Sequence, residues 1–193
     1  MRVTGGEYCG RTIKVPKGKL DIRPSMDRMR QSLFGVLGDL HGYSFLDLFT
    51  GTGIIGLEAA SRGAGPVVCV EKDPAKRSLL IENLGISRDR IEVHIMPVEL
   101  YVKRSKETFD IVFCDPPFPY KHRISLVTEI LERALVKEGG LILMHRPSED
   151  PMPDSVRAAA LEDRRVYGRS IVDFYRCGGI KEGKAVLEVD TAE

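Results

Sequence analysis

An α/β chain built on a doubly wound, mostly parallel sheet is what this sequence predicts, on three observations. From Phe45 onward, short apolar runs alternate with segments of helical periodicity. A glycine-rich turn, Gly51-Thr52-Gly53-Ile54-Ile55-Gly56, follows the first run and opens the first helical pattern after it. The fourth run ends in Asp115-Pro116-Pro117-Phe118, at the edge where a parallel strand presents its chemistry.

The elements follow in chain order. Met1–Thr4 and Arg11–Val15, joined through Gly5-Gly6 and Gly10, have the pattern of a small β-hairpin. Met26–Leu40 carries Met26, Met29, Leu33, Val36, Leu37 and Leu40 at helical spacing, a stripe that reads as core rather than as a ligand box. Strands are expected at Phe45–Phe49, Val67–Glu71, Ile91–Ile95, Phe109–Cys114 and Leu141–His145, because each is a short apolar run rich in β-formers. Helices are expected between them at Ile54–Arg62, Pro74–Leu84, Val98–Ser105 and Ile124–Val136. Asp73 is placed to cap the second of these, with Pro74 in its first turn, and Gly139-Gly140 separates the last from its strand. Arg165–Tyr167 and Ser170–Arg176, split by Gly168-Arg169, predict an antiparallel hairpin closing the sheet. The polar stretch Ile180–Glu193 has little to bury and reads as a loosely held tail. The expected division is a basic hairpin and helix over 1–40, an α/β domain over 41–179, and the tail over 180–193.

Composition narrows the function classes. The chain has 193 residues, 42% apolar and 30% charged, an ordinary globular balance with enough length for a substantial core. No apolar stretch approaches the ~20 residues that cross a bilayer. The first residues lack the apolar run of a secretion signal, which implies a cytoplasmic setting. Cys9, Cys69, Cys114 and Cys177 are scattered and read as reduced and structural. Four histidines without H-E-x-x-H or Cys/His clustering argue against a bound metal. The net charge of +1 conceals an asymmetry: residues 1–30 hold eight Lys/Arg against three acids. A basic segment on a mildly acidic body suits a polyanion-binding arm, with a solvated basic face as the plainer account.

Two motifs carry chemistry. Gly51, Gly53 and Gly56 satisfy the dinucleotide spacing, and Glu71 ends the next strand 20 residues after Gly51, where an acid can hold ribose hydroxyls. Asp47 weighs against a dinucleotide: a carboxylate inside the first strand would repel a pyrophosphate but suits S-adenosylmethionine, whose sulfonium and amino group are positive. Asp115-Pro116-Pro117-Phe118 supplies a carboxylate, stiffened carbonyls expected to point outward, and a flat face. That set suits a planar base bearing an exocyclic amine, and the plain alternative is a proline-stiffened strand-to-helix turn. In a doubly wound sheet the first and fourth strands flank the switch point, so both motifs open onto one crevice.

On these residues the chain resembles the bacterial 16S rRNA guanine-N2 methyltransferases of the RsmD type. The resemblance covers about residues 3–178. It rests on Val3-Thr4-Gly5-Gly6 with Gly10-Arg11, Arg23–Arg30 leading into Leu33-Phe34, Asp47–Glu58, Val70–Asp73, Glu82-Asn83-Leu84 and Asp115–Phe118. It implies a class I, Rossmann-like methyltransferase fold that uses S-adenosylmethionine. The implied substrate is one guanine of 16S rRNA, presented by an assembling small ribosomal subunit to a monomeric enzyme. By position, Asp47, Phe49, Thr50, Gly51, Gly53, Glu71, Lys72 and Asp115 would line the cofactor. Asp115 and the carbonyl of Pro116 would hold the target amine, with Pro117 stiffening the turn and Phe118 stacking the base. Arg11, Arg23, Arg28 and Arg30 match the family's basic front end as RNA contacts. Ser25 stands for the usual Thr, and Met96-Pro97-Val98-Glu99 for the usual acid or amide near the adenine, which leaves that contact open between Glu99 and backbone. His145-Arg146-Pro147-Ser148 replaces a more acidic segment.

Other groups stay between two readings. Tyr120 lines the base pocket or packs, and Lys121, His122 and Arg123 reach phosphate or form a solvated helix start. His94 and His145 read as strand residues, since the amine's proton can pass to water. The rival functions are an adenine amino-methyltransferase, a non-catalytic RNA-binding assembly factor and, more distantly, an NAD-dependent oxidoreductase.

Overall fold

The computed structural model describes residues 1–16 and 24–178, with 24–26 described by backbone alone. Helix α1 is Pro24–Leu37. The α/β alternation follows: β1 Phe45–Leu48, α2 Ile54–Ser61, β2 Val67–Glu71, a 3-10 turn Pro74–Lys76, α3 Arg77–Leu84, β3 Ile91–Ile95, α4 Val98–Arg104, β4 Phe109–Cys114, α5 Arg123–Glu132 and β5 Val136–Pro147. Then come β6 Ser155–Val156, β7 Ala159–Tyr167 and β8 Ser170–Cys177. One eight-stranded sheet runs in the order β3-β2-β1-β4-β5-β8-β7-β6. The first five strands pair in parallel, and β8 joins β5 antiparallel.

The inner parallel strands β1, β2 and β4 are buried on both faces, which is why they read as mostly apolar runs, whereas β3 at the sheet edge leaves Glu92 exposed. Phe45, Phe113, Leu143 and Phe174 point to one layer, packed with Leu33 and Phe34 of α1, Leu57 of α2 and Leu80 of α3. Leu46, Leu48, Val112 and Ile142 point to the other, against Val102 of α4 and Val127 of α5. Burying each such side chain contributes roughly 1.5–3 kcal/mol, so the layers fix strand order and register together. Leu48 stands level with Val70 on one side and Cys114 on the other, and the strand ends therefore open onto a common edge.

The front end shares this core. Val3, Ile13, Met29 and Leu33 lie in the same apolar layer as Phe45 and Leu57. The expected hairpin is a single antiparallel bridge, Arg2 with Thr12, supported by Val3 N–H to Arg11 O at 2.9 Å and Ile13 N–H to Met1 O at 3.0 Å. Glu58 of α2, wholly buried, receives the Thr4 N–H and the Thr4 hydroxyl, the latter at 2.6 Å, and so ties the front to the sheet's own helix.

Several boundaries differ from expectation. Helix α1 stops at Leu37 rather than Leu40, because Gly38 takes φ 71° and donates back to Phe34 O at 3.0 Å. Asp73 caps as expected, accepting from Ala75 N–H at 3.0 Å, but Pro74–Lys76 is a 3-10 turn before α3. Helix α5 ends at Glu132, since Ala134 at φ 54° turns the chain and Val136 already pairs with Phe109. Gly139-Gly140 thus lies inside β5, beside an irregularity in the β4–β5 ladder, and a Cβ on Gly140 would meet Asp110 O at 2.8 Å. Strand β7 starts at Ala159 and is preceded by β6, neither of which the polar sequence there suggests. Arg23 and the tail 180–193 lie outside the described residues.

Candidate active site at the carboxyl edge of the sheet

β1 ends at Leu48 and the chain then turns sharply through Phe49 at φ 67°, Gly51 at φ 63° and Gly53 at φ 85°. Glycine suits Gly53 on two counts: its left-handed backbone, and Leu84 Cδ2 only 2.9 Å from where a Cβ would sit. Asp47 lies beneath this turn, 1% exposed, with Oδ2 accepting the Gly56 N–H at 3.2 Å. Burial pushes the Asp47 carboxyl up to about 8, and the negative charge of Asp115 across the crevice adds to the shift. A carboxylate held in so little water favours a cationic partner.

Glu71, at the end of β2, braces the same turn. Its Oε2 accepts the Gly51 N–H at 2.9 Å and the Lys76 ammonium at 3.0 Å, while Oε1 accepts the Asp73 N–H at 2.9 Å. Lys72 is exposed, so the lysine that reaches this acid is Lys76, which the sequence reading missed. Phe49 meets Tyr120 edge to face at 5.4 Å, and the Tyr120 hydroxyl donates to Glu99 Oε1 at 3.0 Å. A cavity of about 180 Å³ opens between these elements, lined by Asp47, Phe49, Gly51, Ile55, Phe113 and Asp115 among others.

Asp115-Pro116-Pro117-Phe118 leaves β4 directly across from that turn, and the Asp115 N–H donates to Leu48 O at 3.2 Å. The Asp115 side chain is 29% exposed and Phe118 is 48% exposed, so both face outward from the edge. The turn's carbonyls do not all do so. Arg123, 2% exposed, donates to Phe118 O at 3.1 Å and Pro117 O at 3.4 Å, and also binds Tyr120 O and the Asp150 carboxylate. The Pro116 carbonyl takes no hydrogen bond among the described residues. Arg123 is therefore an internal clamp on the turn, neither a phosphate contact nor a solvated helix start.

His145 is the second residue that sequence reasoning missed. Its Nδ1 lies 2.6 Å from Asp115 Oδ1, and its ring meets Phe118 edge to face at 5.9 Å. The signal was the register: Cys114 pairs with Met144, so the next residue of each strand stands side by side.

The basic front end divides. Arg11 and Arg28 are exposed. Arg30 is 3% exposed, donates to Arg2 O at 2.6 Å, pairs with Asp27 at 3.1 Å and lies 3.7 Å from Glu58. Its charge is spent inside the fold, which corrects the expectation that it reaches RNA.

A model of the family described as "Conserved hypothetical protein 95" matches residues 1–176. YlbH of Bacillus subtilis (strain 168) is 30% identical over 185 residues, covering 93% of this chain and 100% of YlbH. Ribosomal RNA small subunit methyltransferase D of Escherichia coli (strain K12) is 28% identical over 178 residues, covering 91% of this chain and 89% of its own. Among solved structures, the yhhF protein of Escherichia coli superposes with a TM-score of 0.82 at 29% identity, covering 92% of this chain and 98% of that one. Match, identity and shared architecture run over nearly the whole length, and the chain belongs to the conserved hypothetical protein 95 family, that of the RsmD-type ribosomal RNA methyltransferases.

Proposed function

We propose that the protein transfers the methyl group of S-adenosylmethionine to the exocyclic N2 amine of a guanine in small-subunit rRNA. The observation that carries this reading is the meeting of two acids across one crevice: Asp47 under the glycine turn, Asp115 at the head of the Pro-Pro-Phe turn. The family supports an RNA substrate, and small-subunit methyltransferase D of Escherichia coli supports the small ribosomal subunit as its source.

The residues fit the cofactor by their chemistry. Asp47 is a desolvated acceptor suited to the cationic methionine end, and Gly51 and Gly53 allow the left-handed backbone of the turn above it. Glu71 offers acceptors for ribose hydroxyls, which would share it with Lys76. Phe49 gives an apolar wall, while Thr50 holds the turn by donating its hydroxyl to Asp47 O at 2.8 Å. When bound, the cofactor supplies an electrophilic methyl on a positive sulfur.

The chain's own residues do the rest. The target amine's lone pair is delocalised into the base, and it becomes available as nitrogen turns pyramidal and positive. Asp115 and the Pro116 carbonyl accept its two N–H groups and stabilise that developing charge. The surplus proton of the methylated amine would leave through the Asp115 side to water. Holding amine and methyl in contact supplies much of the remaining acceleration. Phe118, half exposed, offers the stacking face for a base drawn from its helix, an interaction worth roughly 1–3 kcal/mol. Arg11 and Arg28, exposed on the surface, would meet phosphates.

Replacing Asp115 with Ala tests this. Methyl transfer to RNA is expected to fall by about 10² or more, as for loss of one positioned group in a transition state. Binding of S-adenosylmethionine, measured by calorimetry, is expected to persist, its affinity changing far less than the transfer rate. Wild-type turnover in this variant would refute the mechanism.

A further inference from the structure

We propose that His145 is a positioning residue for methyl transfer, holding the Asp115 carboxylate in the orientation that receives the target amine. This rests on the amine-methyltransferase reading above. His145 lies on β5 beside β4, and the pairing of Cys114 with Met144 sets it level with Asp115. Its Nδ1 is 2.6 Å from Asp115 Oδ1. An ionised carboxylate only accepts, so Nδ1 carries the proton and donates. The ring is 3% exposed, and its Nε2 is enclosed without a hydrogen-bond partner among the described residues. The bond to Asp115 is thus the ring's one polar tether.

The need for a tether follows from the surroundings. The Asp115 main chain is fixed by its N–H to Leu48 O, but its side chain, 29% exposed, has no other donor among the described residues. His145 fixes that side chain, occupies Oδ1 and leaves Oδ2 for the amine. The same imidazole abuts Phe118 at 5.9 Å, so one side chain sets both the acceptor and the stacking face. Arg123 anchors the turn's carbonyls, and His145 anchors its carboxylate.

Three variants separate a donor from a filler: His145→Asn keeps a donor near the Nδ1 position, His145→Leu keeps bulk alone, and Asp115→Ala removes the acceptor. The readout is the single-turnover rate on small ribosomal subunits lacking the modification, with cofactor binding measured in parallel. His145→Leu is expected to lose about 10- to 100-fold in rate, the scale of a misplaced catalytic group, with cofactor affinity and RNA KM little changed. His145→Asn is expected to recover most of that loss. A second measurement needs no turnover: in wild-type protein bound to S-adenosylhomocysteine, the His145 Nδ1 proton should give a protected, downfield NMR resonance that disappears in Asp115→Ala. Equal losses in the Asn and Leu variants, a Leu variant as fast as wild type, or an Nδ1 proton indifferent to Asp115 would each overturn the proposal. Wild-type protein that methylates no amine would instead overturn the underlying reading and the proposal with it.

Discussion

Cofactor affinity should depend on pH through Asp47, and the dependence can be worked from the site. Asp47 is buried beneath the glycine turn, and burial, reinforced by Asp115 and more weakly by Glu71, pushes its carboxyl up to about 8. A cationic ligand needs the ionised form, so below pH 8 binding must first release a proton. Well below that point each pH unit lowers affinity about tenfold, or roughly 1.4 kcal/mol, giving about 50-fold between pH 8, where half the groups are ionised, and pH 6. Above pH 8 the Asp47 contribution levels off. The ligand's own amino group also titrates near pH 8, so the informative quantity is the ratio of wild-type to Asp47→Asn affinity, in which the ligand's titration cancels. Calorimetry in two buffers of different ionisation enthalpy should find close to one proton released per cofactor bound at pH 6.5 by the wild type, and none by the variant. The stability sign follows from the same group. A carboxyl raised in the folded state holds its proton between about pH 4 and pH 8, where the unfolded chain has lost it, so apo stability falls as pH rises through that window. Asp47→Asn should therefore be relatively more stable than wild type at pH 9 than at pH 5. A wild-type to variant affinity ratio that is flat from pH 6 to pH 9 would refute the reasoning.

Other predictions concern the RNA side. Phe118→Ala should weaken RNA binding by roughly 1–3 kcal/mol, read by filter binding or anisotropy, while cofactor affinity holds. Arg11→Ala and Arg28→Ala should each weaken RNA binding across sequences and reduce the salt slope by about one phosphate contact. Arg30→Ala should act on the fold instead: it strips a buried partner from Glu58 and Asp27 and should lower stability by about 3 kcal/mol in denaturant unfolding, with the salt slope unchanged.

Much of the fold was legible because local and tertiary demands agree along β2, β3 and β4. Val67–Glu71, Ile91–Ile95 and Phe109–Cys114 are strands with the expected limits: the first and last are inner strands and mostly apolar, while Ile91–Ile95 is an edge strand that keeps its alternate residues Ile91, Val93 and Ile95 apolar. Legibility failed where a single backbone angle decides. Nothing in Leu131–Val136 announces that Ala134 turns left-handed, and the helix pattern simply runs on into β5. It failed again at Ala159–Arg164, where a polar strand exists because β8 offers it an edge. Asp47 within β1, Glu71 at the end of β2 and Asp115 just after β4 were placed at this edge of the sheet by the strand pattern. Arg30 and Arg123 were not legible, because a charge reads as exposed until its burial is known, and that burial comes from segments distant in sequence: Arg2 and Glu58 against Arg30, Asp150 against Arg123. His145 needed the β4–β5 register, which the irregularity around Gly139-Gly140 hides from a residue count.

The central claim, that this crevice methylates a guanine amine of small-subunit rRNA, is tested most directly with methyl-labelled S-adenosylmethionine. Small ribosomal subunits and naked 16S rRNA from a strain lacking the protein are incubated with it, and the labelled nucleoside is identified after digestion. The account predicts label in N2-methylguanosine. Label in methyladenosine, or no label from protein that binds the cofactor, would contradict it.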